Sequence, residues 1–131
     1  IDYFALNKYT DCIPDYYTPV IIADEAALED DPELARDFVA ALARGYRYVV
    51  ENPEESARLL KAAVPELNEE ELLRSVPWLS ERMVMEAPEW GHQELSIWGE
   101  YADWMREVGV LEGEFDPEAA FTNKFLPGQG E

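Results

Sequence analysis

Residues 8–53, KYTDCIPDYYTPVIIADEAALEDDPELARDFVAALARGYRYVVENP, pass through a turn, an apolar stretch and a long amphipathic segment bounded by prolines. Val20, Ile21 and Ile22 follow Tyr16-Tyr17-Thr18 without polar alternation, the pattern of a strand covered on both faces, which predicts a strand over 16–23. Pro19 has no amide hydrogen, so that strand must lie at an edge, bulge or be irregular there. Asp24 can cap a short helix running to about Glu29. Asp31, Pro32 and Glu33 then supply an N-cap, a first-turn proline and an acid matched to the helix dipole. Leu34, Phe38, Ala41, Leu42, Tyr46 and Val49 follow mostly three or four apart, so a helix is predicted over 32–51 with this stripe toward a core.

Downstream the same punctuation recurs. Asn52-Pro53-Glu54-Glu55 repeats the start signal, and Ala57, Leu60 and Val64 predict a helix over 53–63 that Pro65 stops. Asn68 and Glu71 resemble a capping box ahead of Leu72, Leu73 and Val76, giving a helix over 69–77 that Pro77 ends or kinks. Trp90, Ile97, Trp98, Tyr101, Trp104, Met105 and Val108 predict a second long helix over 89–108, with Gly109 at the left-handed C-terminal cap. Asp116-Pro117-Glu118 opens a last turn or two, and the final residues read as a frayed end. The expected fold is mostly α with one or two β-strands and no internal repeat.

The 131 residues, 47% of them apolar, suffice for one compact core and are too few for two ordinary domains. The chain opens on Ile1 and runs straight into apolar residues, so it is expected to be part of a longer protein. Ten Lys and Arg against 29 Asp and Glu give a formal charge of −19, which repels a polyanion and argues against nucleic acid as a partner. Cys12 stands alone, excluding an internal disulfide and a cysteine-based zinc site. The strongest apolar run, Val20–Ala23, is far shorter than the ~20 residues of a membrane span.

Catalytic signatures are sparse. His92 has acids nearby but no second histidine at the spacing of a HExxH site, so a surface or helix-start histidine is expected. The sequence holds no GxSxG, phosphate loop or Cys/His pair, and no catalytic residue, metal ligand or cofactor is expected. Glu29-Asp30-Asp31 and Glu69-Glu70-Glu71 lack EF-hand spacing and sit where acids favour helix starts. Asp15-Tyr16-Tyr17 differs from these. A carboxylate beside two rings at the end of a sheet suits an aminopyrimidine, whose ring stacks and whose exocyclic amine donates to the carboxylate. Tyrosines packed in a core, with Asp15 shaping a turn, fit the same residues equally well.

Three segments carry a family resemblance: CIPDYYTPVIIADE, the helix pair DPELARDFVAALARGYRYVVENPEESARLL, and FTNKFLP. From about Asn7 to Leu126 the chain resembles the C-terminal part of the substrate-binding proteins of ABC transporters, in the group that includes the fungal thiamine-pyrimidine synthases. The resemblance implies a two-lobed α/β clamshell of the periplasmic-binding-protein type II class. Residues 1–23 would end the second lobe and return through a hinge strand, 24–126 would supply the helical end of the first lobe, and 127–131 would be a flexible tail. It also implies an extracytoplasmic receptor for a thiamine pyrimidine precursor, lined by Asp15, Tyr16 and Tyr17 and delivering to a membrane permease. Sulfonate, nitrate and riboflavin serve related receptors. The fungal enzymes carry a cysteine-rich stretch where this chain keeps only Cys12, which argues for a receptor and against a synthase. The alternative is a stand-alone acidic helical interaction module, or a homodimer that covers exposed apolar surface.

Overall fold

The computed structural model describes residues 8–83 and 90–128. Five helices form among them: α1 (Glu25–Asp30), α2 (Pro32–Glu51), α3 (Pro53–Ala63), α4 (Glu69–Ser80) and α5 (Leu95–Glu107). The chain divides into two compact units, one built from Ile1–Asp24 with Gln93–Asn123, the other from Glu25–His92 with Lys124–Glu131.

In the unit that contains α1 to α4, the starts of α2 and α4 can be traced to a side chain. The Asp31 carboxylate accepts from the Leu34 amide at 3.0 Å, and Pro32 follows in the first turn of α2. Asn68 accepts from the Glu71 amide at 3.2 Å and so caps α4. Asn52 departs from its expected role. Its side chain turns back to donate to the Tyr48 carbonyl at 3.2 Å, closing α2 and leaving α3 without a side-chain cap. Between α3 and α4, Lys61 Nζ donates to the carbonyls of Pro65 (2.6 Å) and Leu67 (2.7 Å), which pins the connecting turn. These two helices pack most extensively in the unit, and Ala57 of α3 is fully buried.

The sequence predicted that Pro77 ends or kinks α4; the helix does not end there but holds Pro77 inside it and runs on to Ser80. The proline costs the amide bond it cannot donate, but the Ser80 hydroxyl donates to the Pro77 carbonyl at 2.8 Å and the final turn closes over it. The α2 stripe also departs from expectation. Leu34 and Phe38 are 65% and 52% exposed, while Val39, Leu42, Ala43, Tyr46 and Val49 are half-buried. The tilted pair Tyr46–Trp90 has centroids 5.2 Å apart. Phe125, just after α5's unit ends, is 7% exposed, with the Arg36 guanidinium 5.9 Å and Lys124 Nζ 5.0 Å from its ring.

The other unit holds the segment predicted as a strand over 16–23, and no strand forms there or elsewhere among the described residues. A strand exists through the ladder it shares with a neighbour. Val20, Ile21 and Ile22 meet no such neighbour here and are 42%, 56% and 89% exposed. The mostly α expectation stands and the strand is corrected. The long second helix begins at Leu95 and not at 89, because Gly91 (φ 79°) turns the chain and Gln93 is held by Asn123; residues 84–89 lie outside the described set. Its end is as expected. Gly109 adopts φ 75°, its amide donates to the Arg106 carbonyl at 3.0 Å, and Val110 donates to Met105 at 2.8 Å, the two bonds of a Schellman cap. Asp116–Ala120 is a turn in place of a short helix, with the Asp116 carboxylate accepting from the Glu118 amide at 3.0 Å.

Candidate functional site

Tyr16 and Tyr17 are consecutive, and each meets a different ring of α5. Tyr16 stacks on Tyr101 with centroids 5.1 Å apart and planes 23° apart, and Tyr101 stacks on Trp104 at 5.4 Å. Tyr17 lies tilted against Trp98 at 6.2 Å, and Trp98 stacks on Phe121 at 6.0 Å with planes only 6° apart. The α5 members, Trp98, Tyr101 and Trp104, are three residues apart and so share a face. All six rings are half-buried.

Hydrogen bonds fix this cluster at one end. The Tyr17 hydroxyl accepts from the Glu94 amide at 2.8 Å, immediately before α5. Trp98 Nε1 donates to Gln93 Oε1 at 2.8 Å. The Gln93 amide donates to Asn123 Oδ1 at 3.0 Å, and Asn123 Nδ2 donates to the Gln93 carbonyl at 2.8 Å. Asp15 is exposed, and its Oδ1 accepts from the adjacent Tyr16 amide at 2.9 Å. That bond uses one of its two carboxylate oxygens.

The three site residues read from the sequence therefore fall in one unit, with both tyrosines inside an aromatic cluster and Asp15 next to them in the chain. Trp98, Tyr101, Phe121, Gln93 and Asn123 complete the arrangement and were not singled out as site residues. Trp98 and Tyr101 were visible only as part of the α5 stripe, and Phe121 and Asn123 only as letters of FTNKFL. In the other unit, a cleft of about 130 Å³ is lined by Ala43, Arg47, Val50, Glu51 and Trp90. It offers a single indole and no stacked ring pair, so the aromatic cluster is the better candidate. His92 is half-buried, and among the described residues no three His, Cys, Asp or Glu side chains gather as a metal site. Tyr48 has its phenol pKa raised, first by its hydrogen bond to the Glu55 carboxylate, then by desolvation and by that carboxylate's charge.

Residues 1–56 match the family described as NMT1/THI5 like. Curated relatives align over most of the chain. A riboflavin-binding protein, RibY, of Chloroflexus aurantiacus is 31% identical over 82% of this chain and 32% of its own length. A formylaminopyrimidine-binding protein of Halalkalibacterium halodurans is 31% identical over 94% of this chain and 38% of its own. A 4-amino-5-hydroxymethyl-2-methylpyrimidine phosphate synthase of Legionella pneumophila is 30% identical over 81% of this chain and 32% of its own. The match over residues 1–56 and these relatives support the NMT1/THI5-like group that the sequence resembles. It spans about a third of the length of each relative, and two of the three are named as binding proteins.

Proposed function

We propose that the chain is part of an extracytoplasmic solute receptor that binds a thiamine pyrimidine precursor and delivers it to an ABC permease in the membrane. The observation that carries this reading is the aromatic cluster of Tyr16, Tyr17, Trp98 and Tyr101, with the Asp15 carboxylate at its edge. An aminopyrimidine is a flat ring bearing an amine, so ring faces and a carboxylate are the groups that recognise it. The formylaminopyrimidine-binding relative supplies the ligand class. In the clamshell that the resemblance implies, residues 1–23 would close the second lobe and pass through the hinge, and 24–126 would finish the first. Exposed Ile22 and Val110 fit a chain that packs against further residues of such a protein, or against a second copy.

Two relatives favour other ligands or chemistry, and experiment separates them. Calorimetric titration of the protein that contains this chain, with 4-amino-5-hydroxymethyl-2-methylpyrimidine, its formylamino analogue and riboflavin, is expected to give saturable binding to a pyrimidine. Riboflavin binding alone would move the protein to the ligand named for the Chloroflexus relative. Formation of a pyrimidine phosphate would move it to the synthase branch, against which the single Cys12 argues.

A further inference from the structure

Stacking holds a ring at a distance but allows it to slide and turn in its own plane; a hydrogen bond at the indole nitrogen removes that freedom. Trp98 has both restraints. Phe121 lies parallel to it, and Gln93 Oε1 accepts from its Nε1. Gln93 is itself held at both backbone groups by one side chain, since Asn123 accepts from its amide and donates to its carbonyl. A carboxamide can do both, whereas an aspartate would lack the donor and a hydrophobic residue both functions. Gln93 and Asn123 are the first and last residues of the second stretch of their unit, so their bonds close that stretch end to end. Glu94, next in the chain, then presents its amide to the Tyr17 hydroxyl.

We infer that Gln93 and Asn123 form a clasp that positions the Trp98 indole and the Tyr17 ring for the ligand, an inference that rests on the pyrimidine-binding reading of this cluster. Both are positioning residues: they act through the rings. The clasp links two sequence features of separate origin, the FTNKFL segment and the start of α5, and gives Asn123 a task that Phe121 and Phe125 on either side do not share.

The test uses the protein that contains this chain, labelled at tryptophan indole nitrogens, with Trp98→Phe identifying the Trp98 resonance. Gln93→Leu removes the indole's acceptor, Gln93→Glu keeps it, and Asn123→Asp removes the donor while keeping the acceptor. In Gln93→Leu the Trp98 indole resonance is expected to move and its hydrogen exchange to quicken roughly tenfold, with affinity for 4-amino-5-hydroxymethyl-2-methylpyrimidine falling by a similar factor. Gln93→Glu should restore both readouts, and Asn123→Asp should fall between. A Trp98 resonance indifferent to Gln93→Leu overturns the clasp whatever the protein binds. A moved resonance with unchanged affinity overturns its link to the ligand. A parent protein that binds no pyrimidine overturns the proposed function, and the link with it, while the resonance still reports on the clasp by itself.

Discussion

Asp15 has one contact in the fold and one proposed role toward a ligand, and a single atom can separate them. Its Oδ1 holds the Tyr16 amide, a contact that Asp15→Asn keeps, whereas the charge that would attract an exocyclic amine is lost in that variant. Asp15→Asn is therefore expected to leave the melting temperature unchanged and to weaken pyrimidine binding roughly tenfold in calorimetry; unchanged affinity would leave Asp15 as a turn residue only. Tyr17 separates in the same way. Tyr17→Phe removes only the acceptor for the Glu94 amide and should cost about 1 kcal/mol of stability, read by denaturant melts, while Tyr17→Ala also removes the ring against Trp98 and should weaken binding roughly tenfold. Tyr48 gives a prediction in pH. Its folded pKa is raised above 10.0, so its hydrogen bond to Glu55 stabilises the fold fully below pH 10 and the contribution is lost as pH rises through the folded value. Tyr48→Phe should thus be less stable than the parent at pH 8, with the gap closing in more alkaline melts. The sequence showed Asp15, Tyr16 and Tyr17 as a set but not their partners, since a contact between Tyr17 and Glu94 joins residues that no local pattern relates.

Helix termini were the most legible feature at the scale of elements, because a cap is written within four residues. Asp31 and Asn68 cap as their spacing predicts, and Asp31→Ala or Asn68→Ala should each lower stability by about 1 kcal/mol in urea melts. Asn52→Ala should cost α3 nothing through capping, since its side chain serves the Tyr48 carbonyl at the end of α2; faster amide exchange in the first turn of α3 with the end of α2 unchanged would contradict that assignment. The Schellman turn at Gly109 needs φ 75°, so Gly109→Ala should cost about 1 kcal/mol. What could not be read were features that depend on partners. The run 16–23 has the composition of a strand, but a ladder requires a second strand that composition does not supply. Pro77 reads as an end or a kink, and α4, packed on α3, runs on to Ser80 past it.

At the scale of the molecule, large apolar side chains stay exposed while the buried apolar residues among those described are Ala57, Ala102 and Phe125. Ile22, Val110 and Leu34 are 89%, 71% and 65% exposed, and the chain spans about a third of the length of its relatives. The family was legible because FTNKFLP and the Asp15-Tyr16-Tyr17 turn are short and distinctive; the ligand was not, because relatives at 30–31% identity are named for a pyrimidine, a flavin and a synthase. The central claim is that the aromatic cluster serves a pyrimidine receptor. Its most direct test is titration of the protein that contains this chain with 4-amino-5-hydroxymethyl-2-methylpyrimidine and its formylamino analogue, alongside the Tyr16→Ala variant. We predict saturable binding of at least one pyrimidine without turnover, weakened roughly tenfold in the folded variant by loss of a stacking ring. Binding of riboflavin alone, or pyrimidine binding that is the same with and without the Tyr16 ring, would contradict the account.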